Sequence, residues 1–290
     1  MNTFFLDRLN GEPHALAFAG QSTPWPVALT DQSANPVLNE ALHAHADAAQ
    51  ALLYPVSADL LATTGRPVDL FGFEPNPARL GAAAAASASV PGIALAQLGA
   101  LLDAASLGYN PAVAKPVAVL GHSQGVLAVH MVQSIVEAGS IEAASAQIDE
   151  ILAIATLIGV AGTRQARQLG LAARHGEATP MLSVKDITRA QVDALIKRVS
   201  GARGPIAVAV TNSATHYVLS GYPEDLAAFG VEVAKEHKHQ AKLREEKVRG
   251  GRVFEPVLEY LDVTLPFHSP LMADAVSQAV SWAESCGICL

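Results

Sequence analysis

The stretch Pro116-Val-Ala-Val-Leu-Gly-His-Ser-Gln-Gly-Val-Leu-Ala-Val-His130 decides the fold expected for this chain. Its β-branched and apolar residues before Gly121 predict a buried strand, and residues 126–137 continue with helical spacing. A strand, a G-x-S-x-G pentapeptide and a helix in that order predict a nucleophile elbow, with Ser123 on a sharp turn. Glycine is expected at 121 and 125 because a side chain there would collide with the neighbouring strand or helix. The pentapeptide alone could occur by chance, but the flanking pattern favours the elbow.

The elbow predicts a definite chemistry. Ser123 would present its hydroxyl at a helix N-terminus, and the backbone amide of Gln124 would point toward a developing oxyanion. A second short apolar strand, His14–Ala19, runs into Gly20 and Gln21. Either this is an ordinary strand-to-loop junction, or the loop lies beside the elbow and Gln21 supplies a second oxyanion amide.

Composition excludes several classes of protein. Half of the 290 residues are hydrophobic and 16% are charged, which is typical of a globular chain of about two domains. The net charge of −8 argues against nucleic-acid binding. The N-terminus shows no signal peptide, and the longest uncharged apolar run, 151–162, is too short to span a membrane. Two cysteines form no disulfide framework. We therefore expect a cytoplasmic protein without nucleic-acid or membrane partners.

After about residue 180 the pattern changes. Strands are predicted at 181–184, 206–211, 217–220 and 257–264, with helices at 188–199 and 223–239. The resulting order, β-α-β-β-α-β, is that of a ferredoxin-like subdomain. We assign residues 179–253 to this subdomain, inserted into a core formed by residues 1–178 and 254–290.

A second stretch with a candidate catalytic residue, Pro266-Phe-His-Ser269, follows the last of these strands. Flanking prolines stiffen the loop and would hold His268 in a fixed position. Of the ten histidines, His14 and His130 are interpreted as surface or core residues, and His122 as packing beside the elbow. His268 is therefore the candidate general base for Ser123.

Together these motifs resemble the acyl-CoA:acyl-carrier-protein transacylases. The residues that carry the resemblance are the elbow, Phe18-Ala-Gly-Gln-Ser-Thr-Pro-Trp25, Asn212 with Val218-Leu-Ser-Gly221, and Pro266-Phe-His-Ser269. The greatest likeness is to the acetyltransferase domain at the N-terminus of mycobacterial-type and fungal type I fatty acid synthases. We therefore expect a portion of a larger multienzyme.

The resemblance implies an α/β fold, with an α/β-hydrolase-like core containing a parallel sheet and an inserted ferredoxin-like subdomain. It implies a catalytic pair, Ser123 and His268, and an oxyanion hole from the amides of Gln124 and Gln21. Asn212 and His122 would contact the substrate. No metal and no permanently bound cofactor are expected. Acetyl-CoA would be the donor, and the phosphopantetheine of an acyl carrier domain of the synthase the acceptor.

The identity of the acyl donor is inferred from the absence of positively charged residues in one helix. Transacylases that load malonyl groups use an arginine on the helix after the elbow helix, and residues 141–160 contain no Lys or Arg. Ile158 stands in the arginine's place and favours an uncharged acyl group. Alternatively Ile158 is simply a core residue and Arg164 serves, which would leave malonyl or palmitoyl transfer open.

Two other classes remain open from the sequence. A serine hydrolase or thioesterase shares the G-x-S-x-G pattern but needs an acidic residue between serine and histidine in the chain. Several aspartates lie in that interval, none in a convincing loop at a strand end. A non-catalytic scaffold domain, in which Ser123 has no chemical role, is the third possibility.

Overall fold

The computed structural model describes residues 9–21, 24–70, 86–171, 178–245 and 254–289. Its backbone divides into two compact units. The first unit comprises Met1–Arg164 and Val276–Leu290, and the second comprises Gln165–Ala275. The boundaries assigned from the sequence, after residues 178 and 253, both fall inside the second unit.

A pair of parallel strands positions the elbow in the first unit. These strands are β1 (Ala15–Phe18) and β2 (Ala118–Gly121). Their register pairs Phe18 with Gly121, and the amide of His122 then donates to the carbonyl of Phe18 over 2.9 Å. Both strands therefore end at the same edge, where the two loops of interest begin.

The expectation that β2 is buried is wrong for part of the strand. Leu120 is 60% exposed, and Val117 just before β2 is 71% exposed, whereas Ala118 and Val119 are half-buried. Among the described residues β1 is the one strand paired with β2, so the other edge of β2 has no strand against it. The apolar pattern predicted the strand correctly but did not determine what would cover it.

Helices make up most of the remaining first unit, and one of them is central. They are α1 (Trp25–Ser33), α2 (Pro36–Leu52), α3 (Ser57–Thr64), α4 (Ala86–Ser106), α5 (Pro111–Ala114), α6 (Val126–Ala138) and α7 (Ser145–Gln168), the last of which runs into the second unit. Helix α4 packs against α1, α2 and α6 and is buried along most of its length. Its Gly92 lets the Trp25 ring approach so closely that a Cβ there would lie 2.5 Å from the ring. Helices α1, α2 and α6 thus pack around α4.

Two of these helices are long and apolar enough to cross a membrane by length and composition alone, which corrects the expectation that no apolar stretch of the sequence is long enough. They are α4 and α7, each with a mean hydropathy of 1.4 over 18 residues, of which 72% and 61% are buried inside the protein. Core helices of soluble proteins meet the same criterion. The expectation that the chain has no membrane partner therefore stays a prediction.

The second unit is built on a four-stranded antiparallel sheet in the order β4-β5-β3-β6. Its elements are β3 (Met181–Lys185), α8 (Arg189–Ile196), β4 (Ala207–Ser213), β5 (His216–Ser220), α9 (Pro223–Glu245) and β6 (Val257–Tyr260). This is the β-α-β-β-α-β order expected from the sequence. Strand β6 ends at Tyr260 rather than Thr264, and because it pairs with β3 the sheet extends beyond residue 253. Helix α10 (Ala273–Ser285) follows and runs into the first unit.

The two faces of this sheet differ. Alternate strand residues and the two helices form an apolar core on one face: Leu182, Val184, Tyr217, Leu219, Leu195, Leu226, Phe229 and Val233. On the other face, Met181 and Val218 form a smaller cluster against which Phe267 packs. The loop that carries His268 is therefore attached to the face of its own sheet that lies opposite α8 and α9.

Candidate active site

The structure confirms the elbow as a strand, a single tight turn and a helix. Residues Ser123–Gly125 form a 3-10 turn between β2 and α6. Ser123 has a φ of +52°, which lies in the left-handed region that non-glycine residues rarely adopt. Such a conformation costs about 1–3 kcal/mol and is found most often at functional sites. The turn is thus strained at the residue expected to be the nucleophile.

The two elbow glycines are required for the reason that the sequence indicated. A Cβ at Gly121 would lie 2.5 Å from the carbonyl carbon of Gly125 and from the amide of Val126. A Cβ at Gly125 would lie 2.3 Å from the carbonyl oxygen of Phe18. In both cases the obstacle is backbone, which cannot rotate away as a side chain can.

Replacing Gly125 by alanine is therefore expected to destabilise the protein by about 2–3 kcal/mol, the cost of overpacking a well-packed region. Thermal unfolding followed by circular dichroism measures it as a lower melting temperature. Gly11→Ala is the matched control, because a Cβ at Gly11 meets nothing within 4 Å. Equal melting temperatures for the two variants would contradict the close contact with Phe18.

The loop after β1 lies directly against the elbow. A Cβ at Gly20 would lie 2.8 Å from the carbonyl oxygen of His122 and 3.3 Å from Cβ of Ser123. The next residue, Gln21, donates its side-chain amide to the carbonyl oxygen of the Gln124 side chain over 2.6 Å. The structure therefore places Gln21 and Gln124 side by side next to Ser123. Ser22 and Thr23 of the same motif lie outside the described residues.

Ile158 lies on α7 and is half-buried. The residue after it, Gly159, contacts α4 so closely that a Cβ there would lie 2.4 Å from the carbonyl oxygen of Ala86. The Thr163 hydroxyl accepts a hydrogen bond from the amide of Ser87 over 3.0 Å. The start of α4 thus fixes the turn of α7 that carries Ile158.

Arg164, the alternative cation, is engaged elsewhere. Its Nη1 donates to Oε1 of Gln278 on α10 over 2.9 Å, and its side chain is exposed. His122, which precedes the elbow serine, is also exposed. Ile158, Arg164 and His122 all belong to the first unit.

His268 lies in the second unit on a constrained turn. It is exposed, and its φ of +56° is again left-handed for a non-glycine residue. The Ser269 hydroxyl donates to the carbonyl of Pro266 over 2.6 Å, and Gln165 donates to the carbonyl of Leu271 over 3.0 Å. These bonds, together with the two prolines, give the rigid loop that the sequence predicted.

Asn212 is exposed at the end of β4, also in the second unit. Its Nδ2 lies 3.4 Å from Nε2 of His216, and the same ring nitrogen lies 3.0 Å from the hydroxyl of Ser183. A polar cluster of three side chains therefore occupies the end of β4 and its neighbours.

The expected site residues are thus shared between the two units. Ser123, Gln124 and Gln21 form one local cluster, whereas His268 and Asn212 are positioned by the sheet of the second unit. The pairing of Ser123 with His268 therefore stays a prediction. Sequence reasoning missed Ser89, Val90 and Gln97 on α4, although Gln97 is the one amide side chain in this largely apolar helix.

Metal ligation has little support in the described part of the chain. Within residues 9–21, 24–70, 86–171, 178–245 and 254–289, no three His, Cys, Asp or Glu side chains are grouped as metal ligands would be. Cys286 and Cys289 are free thiols, and burial raises the pKa of the Cys286 thiol. The expected absence of a metal stays a prediction.

Comparison with known proteins adds a family name for part of the chain. Residues 180–260 match the family model described as fatty acid synthase central AT domain. The fatty acid synthase beta subunit hexB of Dothistroma septosporum is 27% identical over 164 residues. That match spans 52% of this chain and 8% of the fungal subunit.

Solved structures agree on the fold. The malonyl CoA-acyl carrier protein transacylase of Coxiella burnetii has a TM-score of 0.56 at 18% identity, covering 94% of this chain and 68% of that chain. A malonyl-transacylase in complex with a type II polyketide synthase acyl-carrier protein has a TM-score of 0.54 at 18% identity, covering 96% and 71%. The family model and the fungal relative support an acyltransferase domain of a fatty acid synthase, in a chain whose fold is similar to that of malonyl-CoA transacylases.

Proposed function

We propose that this chain transfers an acetyl group from CoA, through an ester on Ser123, to the phosphopantetheine thiol of an acyl carrier protein. The observation that carries the proposal is the strained elbow: Ser123 has a φ of +52°, with Gln21 and Gln124 paired beside it. The likeness of residues 180–260 to a synthase acyltransferase domain supports it from a separate part of the chain.

In this proposal His268 acts first as a general base. The Ser123 oxygen attacks the thioester carbonyl while its proton passes to His268. The oxyanion accepts hydrogen bonds from the backbone amides of Gln124 and Gln21, each worth about a hundred- to a thousandfold in rate. The C–S bond then breaks and His268 returns the proton to the CoA thiolate. The pantetheine thiol reverses these steps and leaves with the acetyl group.

The finer structural assignments belong to the same proposal. The first unit would be an α/β-hydrolase-like core, and the second would contain a ferredoxin-like subdomain, consistent with its element and strand order. Asn212 and His122 would contact the acyl-CoA or pantetheine chain. The protein would work in the cytoplasm as part of a type I synthase, without a permanently bound cofactor.

Malonyl transfer is the second candidate, because the two solved structures compared above are malonyl transacylases. The half-buried Ile158 favours acetyl, since an apolar side chain offers no partner to a malonyl carboxylate. The test of this choice is given in the Discussion.

Rapid-quench kinetics with labelled acetyl-CoA test the proposal against hydrolysis. A transferase should release one equivalent of CoA in a burst and then stall as the acyl-enzyme until pantetheine is added. Steady CoA release without any thiol acceptor would indicate a thioesterase instead. No CoA release and no label on the protein would indicate a scaffold domain.

We propose that a basic segment of the sequence attracts the carrier protein electrostatically. Residues 235–252 contain seven Lys or Arg and three Asp or Glu, a net charge of +4 in a chain of −8. Lys235, Lys238, Lys242 and Arg244 are exposed along α9. Glu236 is held by Gln240 and Arg198, and these hydrogen bonds lower the pKa of its carboxyl group. An acidic carrier surface would be attracted here. Charges that only solvate the helix end would leave transfer unchanged when they are reversed.

Reversing Lys242, Arg244 and Lys247 to glutamate is expected to reduce transfer to a carrier domain by about tenfold or more at low salt, because steering depends on charge. Transfer to free pantetheine should not change. Lys247 lies outside the described residues. The matched control reverses Arg66, Lys115 and Lys197, which are exposed elsewhere and alter the net charge equally. Equal losses with both acceptors would remove the docking idea.

A further inference from the structure

The two glutamines beside Ser123 belong to a closed ring of side-chain hydrogen bonds. The Ser89 hydroxyl donates to Oε1 of Gln21 over 3.3 Å, and Nε2 of Gln21 donates to Oε1 of Gln124 over 2.6 Å. Nε2 of Gln124 then donates to the carbonyl of Val90. Since Ser89 and Val90 are consecutive residues of α4, the ring begins and ends on one turn of that helix.

This turn of α4 is a firm support. Ser89 and Val90 are 5% and 2% exposed, so the ring lies on the buried side of the elbow. Two turns further along α4, the buried Gln97 donates to the carbonyl of Ala19 over 2.7 Å. The same helix therefore holds the loop after β1 at two points, before and after Gly20.

The ring joins two chain segments that have to be aligned for catalysis. Gln21 follows β1 and Gln124 follows Ser123, more than a hundred residues later in the chain. A Cβ at Gly20 would lie 3.5 Å from the backbone amide of Gln124, so the two backbones are adjacent where their side chains pair. Fixing both side chains to α4 limits how far either backbone amide can shift. Oxyanion donors work only when held at a set position before the charge develops.

We propose that the side chains of Gln21, Gln124 and Ser89 are positioning groups, which hold the two oxyanion amides in register through α4. This inference rests on the proposed function, because it assigns a role to side chains whose backbone amides were assigned there. Unlike the backbone amides of the oxyanion hole, these side chains touch no reacting atom. Their removal should therefore slow the chemical step without weakening the binding of acetyl-CoA.

The experiment measures the rate of acyl-enzyme formation at a series of acetyl-CoA concentrations for Gln21→Met, Gln124→Met and the double variant. Methionine keeps the length of the side chain and removes its hydrogen bonds. Each single variant should lower the maximal rate about 10- to 100-fold, the cost of a small misplacement of catalytic groups, with an unchanged half-saturating concentration. The double variant should lose much less than the product of the two single losses, because the partners share one interaction.

Gln133→Met is the matched control, since Gln133 bonds Glu137 on the exposed side of α6 and should keep the wild-type rate. Ser89→Ala provides a milder break of the same ring and should cost several-fold. If the methionine variants unfold, an unchanged rate in Ser89→Ala overturns the inference. Losses that multiply in the double variant, or that appear only in the half-saturating concentration, also overturn it. A wild-type protein that forms no acyl-enzyme overturns the proposed function itself.

Discussion

Ser123→Ala is expected to abolish acyl-enzyme formation, because no other group can form the ester at the elbow in the proposed mechanism. After incubation with acetyl-CoA, the wild-type protein should gain about 42 Da on the peptide that contains Ser123, as expected for covalent catalysis. The alanine variant should gain nothing there, and its transfer to a pantetheine acceptor should fall by at least about 10⁴-fold. Intact and digested protein mass spectrometry measures both.

The control for this variant is Ser134→Ala on α6, the helix that follows the elbow. The Ser134 hydroxyl donates to the carbonyl of His130 one turn earlier and takes no part in the elbow. Its removal should leave the adduct and the transfer rate unchanged. Transfer at the wild-type rate by Ser123→Ala would show that the nucleophile lies elsewhere.

The variant His268→Ala tests the role of the general base separately from that of the nucleophile. Loss of a general base slows the reaction about 10²- to 10⁴-fold rather than abolishing it. Because His268 is exposed on its loop, the variant should remain folded. A His268→Ala protein that acylates at the wild-type rate would remove the proposed pairing of Ser123 with His268.

The elbow could be predicted because all of its determinants are local. The strand residues, the two glycines and the helix are contiguous in the chain, and the steric need for glycine at 121 and 125 follows from the turn itself. The left-handed backbone of His268 could not be predicted, because histidine enters that region more often than most residues but still seldom, and the surrounding prolines only indicate stiffness.

The ring of hydrogen bonds could not be predicted from the sequence either. Its members come from three segments, around residues 21, 89 and 124, and no spacing rule connects them. Ser89 lies two residues before Pro91 in a largely apolar helix, where the sequence indicates at most a helix cap for it. The exposure of Leu120 was missed for a related reason, because an apolar pattern indicates a strand and not its neighbours.

A preference for acetyl-CoA over malonyl-CoA is the second large effect expected. Ile158 is half-buried on α7, and no Lys or Arg occurs between residues 141 and 160. A malonyl carboxylate brought against it would be desolvated without a partner, which costs several kcal/mol. The acetyl methyl group loses nothing and gains an apolar contact. We expect malonyl-CoA to load at least about 100-fold more slowly than acetyl-CoA, which corresponds to a penalty of about 2.7 kcal/mol.

Ile158→Arg should narrow that gap, because a guanidinium can bind the carboxylate through two parallel hydrogen bonds. Ile158→Met, which changes shape without adding charge, should keep malonyl loading poor. Ile154→Arg places the same charge one turn earlier on the half-buried side of α7 and tests whether position matters. The measurement is competitive loading of labelled acetyl- and malonyl-CoA onto each variant. Comparable malonyl loading by the unmodified protein would mean that another cation binds the carboxylate. Arg164 would be the first to examine, although its guanidinium is already bonded to Gln278.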